Sequence, residues 1–399
     1  MSPRPAPRKR PITVMRHVEP LGPRVDIPVR DPSPDWEEAQ ALLARGQHLA
    51  RQDAWEDLAP EICEADRNQT MTCGLTSVAA LLSQGARSDA VRAGHAAAGK
   101  GEVGTARAIL ATLELNLEDS PECPAIAHTV AMAHIEVARA WAGSSRADQL
   151  SPPRRDAYEW HMQTAASFVD RFDPFETHSA LWAEVRCEVL AIDPKPGQRL
   201  ADDYEDLIDL GPENPDYLRA FGRDLLPGRF GNREVLDREA RRTAVRTADV
   251  WGMGAYSWIM IGAIENDPTA LRWVDAELFA EGLHDILARH PGQHMVNRLA
   301  AFCGLTASSV TIPGTSEARI SNCFNWIAQD HLYEIHPAVW ATAPAPGLQD
   351  RDVAGSREDV IKRGRTRATS ALAEHFAALL NNGRRLVFTP DGLQMPRMA

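Results

Sequence analysis

From Asp35 onward the apolar residues recur at intervals of three and four, and this spacing constrains the fold more than any other feature. Trp36, Ala39, Leu42, Leu43 and Leu49 share one helix face. Leu58, Ile62 and Ala65 repeat the pattern, and Val78, Leu81 and Leu82 open a third run. Further helices are predicted at Val91–Ala98 and Val103–Leu117, joined by Gly99-Lys100-Gly101, and at Ile126–Trp141. Beyond a loop at Ser144–Pro153 the pattern continues over 154–170, 175–191, 200–210 and 214–226. It then covers 233–249, 253–265, 269–289, 292–305 and 317–330. Prolines at 174, 194, 196, 212, 215 and 227 punctuate these segments, because a helix interior excludes proline. The fold class expected is all-α: an α-solenoid-like array of antiparallel helix pairs, with a disordered N-terminal arm and a small C-terminal β-hairpin.

Four regions follow from this pattern. Residues 1–34 carry nine prolines and several arginines and read as a flexible arm, with a strand-like contact at Ile12–Met15. Residues 35–340 form the helical body. Residues 341–355, rich in Ala, Pro, Gly and Asp, read as a linker. Residues 356–399 hold a helix at 357–381 and then a hairpin, with Thr389-Pro390-Asp391-Gly392 as its turn. A lone hairpin is marginally stable, so it is expected to dock on the body. Thr306–Ser316 is weakly patterned and reads as a short strand or as loop.

Charge separates the ends from the middle. The formal net charge is −12, yet residues 1–30 carry +5 and residues 351–399 carry +4, which leaves −21 on 31–350. An acidic body disfavours wholesale binding to nucleic acid or anionic membrane. The basic ends are expected to rest on that body. No apolar run reaches the roughly 20 residues a membrane span needs. Val250–Ile264 comes nearest and reads as a buried helix bounded by Asp249 and Glu265. With no secretory signal and no C-x-x-C pair, the six cysteines read as reduced thiols and the compartment as cytoplasmic.

Three windows are similar to tetratricopeptide repeats, in which a glycine and an alanine let paired helices approach closely. In Ala90–Leu113, Gly94, Ala106 and Leu110 match, while Ala90 and Ala97 stand where aromatics belong. In Leu42–Ile62, Gly46 and Ile62 match. Trp258-x-x-Ile261-Gly262 matches an opening, and Glu265 then departs. Gly46 and Gly94 lie 48 residues apart, where that family repeats at about 34. The resemblance covers about a third of the chain and implies a helical groove that binds a peptide or protein partner.

Chemical motifs are weak by comparison. His331-Leu-Tyr-Glu334-Ile-His336 is the most metal-like cluster, but its histidines are five apart and fit neither zinc-hydrolase spacing. Histidines at helix ends are the plainer reading, and the same holds for His284, His290 and His294. Cys73 precedes Gly74 near a helix start, where amide dipoles could activate a thiol. Gly99–Thr105 lacks phosphate-loop order. Arg357, Lys362, Arg363, Arg365 and Arg367 form a basic helix face without interleaved aromatics. Of the ten tryptophans, most are expected in the core and a few on a binding surface. No residue is assigned a catalytic, cofactor or metal role. The expected function is a non-catalytic interaction or scaffold protein. Two alternatives stay open: a hydrolase-like enzyme using His331, Glu334 and His336 or Cys73, and a nucleic-acid-associated regulator acting through the basic ends.

Overall fold

The computed structural model describes residues 24–145, 149–308, 314–345 and 356–397. Helix accounts for 73% of the molecule, so the chain is all-α with a three-stranded sheet at the C-terminus. In chain order, strand β1 (Val25–Asp26) precedes α1 (Pro34–Arg51), α2 (Trp55–Arg67), α3 (Val78–Lys100), α4 (Val103–Asp119), α5 (Pro124–Ala142) and α6 (Pro152–Ala166). Next come α7 (Pro174–Thr177), α8 (Ala180–Glu188), α9 (Leu200–Leu210), α10 (Pro215–Asp224), α11 (Arg233–Arg246), α12 (Ala248–Trp251) and α13 (Gly254–Asn266). The last helices are α14 (Ala276–Arg289), α15 (Gln293–Ala301), α16 (Ser316–Trp326), α17 (Pro337–Thr342), α18 (Arg357–His375) and α19 (Ala377–Asn381). Strands β2 (Leu386–Thr389) and β3 (Gly392–Gln394) close the described chain.

Local chemistry sets the helix ends. Ser33 accepts a hydrogen bond from the Trp36 amide, with Pro34 at the first helical position of α1. Ser77 caps α3 in the same way. Of the expected Gly99–Gly101 turn, only Gly101 turns: it takes φ +76° as the left-handed cap of α3, and Gly99 stays helical. The predicted segment 269–289 is two pieces, a 3₁₀ stretch at Pro268–Trp273 and α14, because Asp275 caps a new helix. The helix predicted at 357–381 breaks at Phe376, a buried residue. Two helices run into π-turns, α15 at Phe302–Thr306 and α16 at Ile327–His331.

Two hydrophobic cores share one wall. The first is built on α2–α6, and the second extends from α9 to the C-terminal sheet. Helix α8 serves both, with Leu181, Trp182 and Val185 in the first and Ala180, Ala183 and Cys187 in the second. Trp141, Trp182, Trp251, Trp258 and Trp340 are fully buried. Each such side chain contributes roughly 1.5–3 kcal/mol on removal from water. The apolar segment at Val250–Ile264 is not one helix: the chain turns at Gly252, with φ +59°, between α12 and α13, and the buried helix is α13, where Gly254 through Ile264 are all enclosed. No helix among the described residues is long and apolar enough to cross a membrane.

Two close helix crossings join segments far apart in sequence, and both use paired glycines. A β-carbon on Gly46 would lie 2.0 Å from the Leu82 carbonyl oxygen, and one on Gly85 would lie 2.2 Å from that of Leu43. On α10 and α13, Gly222 faces the Ile259 carbonyl at 1.8 Å and Gly262 faces that of Arg219 at 2.0 Å. In both pairs each glycine meets the carbonyl of the residue three before its partner glycine. The two crossings therefore have the same local design, one in each core. Gly94, the third glycine of the repeat-like windows, meets the Val137 side chain of α5.

The expected arm reaches the body earlier than Pro34. Val25 and Ile27 are buried, and β1 runs parallel to β2, pairing Val25 with Leu386 and Asp26 with Val387. Alternating apolar residues and an otherwise open strand edge explain this docking. The hairpin forms as predicted, with Thr389 opposite Gly392 and Pro390-Asp391 between them. Charge joins the two ends: Arg385 pairs with Asp26 at 2.7 Å and Arg357 with Asp31 at 3.0 Å. The strand-like contact expected at Ile12–Met15 and most of the 341–355 linker lie outside the described residues, as do residues 309–313 of the weakly patterned stretch. The helix and hairpin beyond the linker share the second core through Ala368, Leu372, Phe376, Leu386 and Phe388.

Candidate binding groove

Trp55 opens α2 and is half-buried, packed against the first core from outside. Two surface depressions share it. One, of about 520 Å³, runs between the start of α2 and the loop before α5, with Pro60, Pro121, Pro124 and Ile126 in its lining. The other, of about 670 Å³, lies between the end of α1, α3 and α4, lined by Ala90, Ile109, Leu113 and Leu115. Leu115 is 54% exposed, one of four large apolar side chains left open among the described residues. An exposed leucine in a concave surface with a tryptophan at its centre is the anatomy of a binding patch.

The helices hold this surface in place from below. Leu58 and Ile62 of α2, Ala106 and Leu110 of α4 and Ile126 of α5 are all buried in the first core. The groove rim is acidic: Asp53, Glu56, Asp89, Asp119 and Glu122 line it against Arg51. Arg51 is already committed, since its guanidinium donates to both carboxylate oxygens of Asp89. Arg92 pairs with Asp89 as well, so the surface offers apolar area beside the carboxylates of Asp53, Glu56, Asp119 and Glu122.

A second cavity of about 220 Å³ lies in the other core beside the π-turn at Phe302–Thr306, with Arg219, Arg298, Trp258, His294 and Glu265 in its wall. Its charges are spent on one another. Arg219 donates to Glu265 at 2.6 Å and to Asp216 at 2.8 Å, and Arg298 donates to Asp216 at 3.0 Å.

The His331–His336 segment is irregular chain between two helix ends. His331 closes a π-turn and His336 is the residue before α17. His331 meets the ring of Trp326 edge-on, whereas His336 is buried and hydrogen-bonded to Glu334 at 3.0 Å. The two imidazoles serve different neighbourhoods. Among the described residues no group of three or more His, Cys, Asp and Glu is arranged to hold a metal ion.

Cys73 does not occupy an activating helix start. Helix α3 begins five residues later, at Val78 with Ser77 as its cap. Burial, then the carboxylates of Glu38 and Asp35, push the Cys73 thiol up to about 11. The thiol at a helix N-terminus is Cys123, the residue before Pro124 of α5. Cys-Pro ahead of an apolar periodic run was the available signal.

The basic face of α18 is partly used internally. Arg357 stacks over Trp36 at 4.4 Å, and Arg367 donates to the carbonyls of Ala341 and Ala343 at the end of α17. Lys362 and Arg365 remain exposed.

Buried imidazoles give the body a pH dependence. His161 is held at about 3 and His294 at about 4, each first by burial, and His128 is lowered well below its ordinary range by the same cause. In the unfolded chain each takes a proton near 6.5. Between about 4 and 6.5 the unfolded state therefore binds more protons, and stability falls as the pH falls. Burial raises Glu184 to about 7 and Asp66 to about 6, which opposes this trend because the folded state keeps those protons. In His161→Gln the thermal midpoint should drop less between pH 7 and pH 5 than in the unsubstituted protein. Parallel midpoint-against-pH curves would refute that assignment.

The chain matches no family model, no curated protein and no solved structure, so the groove's chemistry rests on the residues that line it.

Proposed function

We propose that this protein is a non-catalytic binding protein that takes an apolar peptide segment flanked by basic residues into the groove around Trp55. The observation that carries the reading is the coincidence of three properties in one surface: a half-buried tryptophan common to two depressions, an open leucine, and four rim carboxylates besides Asp89, which Arg51 and Arg92 hold. Tryptophans at the centre of such patches supply a large share of affinity, and rim charges set the encounter rate and its salt dependence. The partial resemblance to tetratricopeptide repeats supports the same class of function, a helical array whose grooves receive peptides.

Fluorescently labelled peptides of four apolar residues flanked by lysines or arginines, titrated with the full chain, test the reading. Binding should weaken with added salt, and Trp55→Ala should reduce affinity by about tenfold or more. Equal binding of peptides flanked by aspartates, or unchanged affinity in Trp55→Ala, would rule the proposal out. Melting of the variant alongside the parent separates lost binding from lost folding.

A further inference from the structure

The chain carries, in its own N-terminal arm, a segment whose chemistry matches the groove around Trp55. Arg8, Lys9 and Arg10 precede Ile12, Val14 and Met15, and Arg16 follows them. Glu19 is the one acid among residues 1–23, against five arginines and lysines. These residues lie outside the described ones, and their chain joins the body at Arg24 and β1. The groove supplies the complementary chemistry. Asp53, Glu56, Asp119 and Glu122 line it, and Leu115 stands 54% exposed. An apolar side chain that open in a concave surface gains from being covered. The other basic end is already seated, through Arg357 on Asp31 and Arg385 on Asp26. Arg357 contacts both Asp31 and Trp36, so α1 starts beside the chain that follows β1. Helix α1 then runs to the groove, which its last residues help to wall. It is 18 residues long, roughly 27 Å. Thr13, at the centre of the arm's apolar stretch, lies 11 residues before Arg24, roughly 36–40 Å of extended chain. The tether is longer than the helix it has to follow.

We propose that residues 8–16 occupy the Trp55 groove of their own chain and hold it against outside peptides, an inference that rests on the reading of the groove as a peptide site. The side chains of Ile12, Val14 and Met15 cover Trp55 and Leu115, and the flanking cations face the four carboxylates. Attraction between an arm and a groove of opposite charge is screened by salt. Tethering makes the contact intramolecular, so a modest intrinsic affinity suffices to fill the groove. An outside peptide then meets a competent groove only in the fraction of molecules whose arm is displaced, and its apparent affinity falls by that fraction.

The test uses the full chain. Lys9 is the one lysine before Lys100, and a carbodiimide joins its amine to a touching carboxylate without a spacer. Digestion and mass spectrometry then map the link. The expected product joins Lys9 to Asp53, Glu56, Asp119 or Glu122, and it should fade with added salt and in Trp55→Ala. In an equal mixture of isotope-labelled and unlabelled chains, the linked peptides should be wholly heavy or wholly light. Mixed pairs would give the groove to the arm of a second copy and overturn the proposal, as would links from Lys9 to acids elsewhere or no link at all. Ile12→Ser combined with Val14→Ser leaves the charge unchanged and should raise the affinity for a labelled, lysine-flanked apolar peptide by about tenfold. Failure of the groove reading looks different, because then neither the parent nor this variant binds the labelled peptide through Trp55. Where both bind it equally and Lys9 makes no link, the groove stands and the arm is not its occupant.

Discussion

Gly222→Ala is expected to lower the unfolding midpoint by many degrees, the largest effect of any single methyl group in this protein. The added β-carbon would sit 1.8 Å from the Ile259 carbonyl oxygen and 2.7 Å from its carbon. The obstacle is backbone within a buried helix, so no side-chain rotation relieves it. Helices α10 and α13 would have to separate by more than an ångström. That separation would loosen Leu218 and Phe221 against Trp258 and Ile259, all of them buried. Overpacking of this kind costs about 3 kcal/mol or more. The internal control is Gly104→Ala on α4, where a β-carbon meets nothing within 4 Å and the backbone is helical. That change removes freedom from the unfolded chain and should stabilise by about 0.4–1 kcal/mol. Thermal melts of both variants check the pair. A Gly222→Ala midpoint close to that of the parent would mean that the two helices do not cross at their glycines.

The second large effect is expected from Asn297→Leu. Asn297 is fully buried on α15 and uses all of its hydrogen-bonding capacity. Its amide nitrogen donates to the carbonyls of Gln293 at 2.8 Å and Glu334 at 2.9 Å. Its oxygen accepts from the His336 amide at 2.9 Å and the Trp340 indole at 2.7 Å. One turn earlier, Gln293 donates to the His331 carbonyl and accepts from the amides of Tyr333 and Glu334. These two side chains stand in for the missing helix partners of the irregular segment between α16 and α17. Two further groups of that segment, the amide and carbonyl of Ile335, are taken by Pro28 and Arg30. Leucine fills similar space but leaves the Glu334 carbonyl, the His336 amide and the Trp340 indole without partners inside the core. At about 1–3 kcal/mol for each orphaned group the loss is on the order of 4 kcal/mol. Denaturant unfolding measures it. Hydrogen exchange localises it, because the His336 amide should lose its protection before the amides of α13. Unchanged protection at His336 would contradict this account.

The fate of the His331-Leu-Tyr-Glu334-Ile-His336 cluster shows where reading by motif ends. The spacing alone excluded a zinc-hydrolase helix, and both histidines do stand at helix ends. That the stretch is pinned open by Gln293 and Asn297 required knowing which side chains α15 turns toward it. The cysteines teach the same lesson. Proximity to a helix start drew attention to Cys73, whose true neighbours are acids contributed by α1. Cys123, followed by a proline and a long apolar run, carried the better local signal.

The glycines mark the boundary most clearly. Gly46, Gly94 and Gly262 were visible as positions of close helix approach. Their partners were not, because Gly85 and Gly222 lie tens of residues away. A close crossing is specified by two surfaces that meet only in the folded state. By itself the sequence determined the helical class, the approximate helix limits, the hairpin and the burial of the apolar run that became α13. Each follows from neighbours within a few residues, through the 3.6-residue period, the proline and glycine punctuation and the caps. Only the tertiary structure decided which helices cross, and that Trp55 faces an open acidic groove while five other tryptophans are enclosed. Those outcomes depend on contacts between distant segments, and their energies have no counterpart in local sequence.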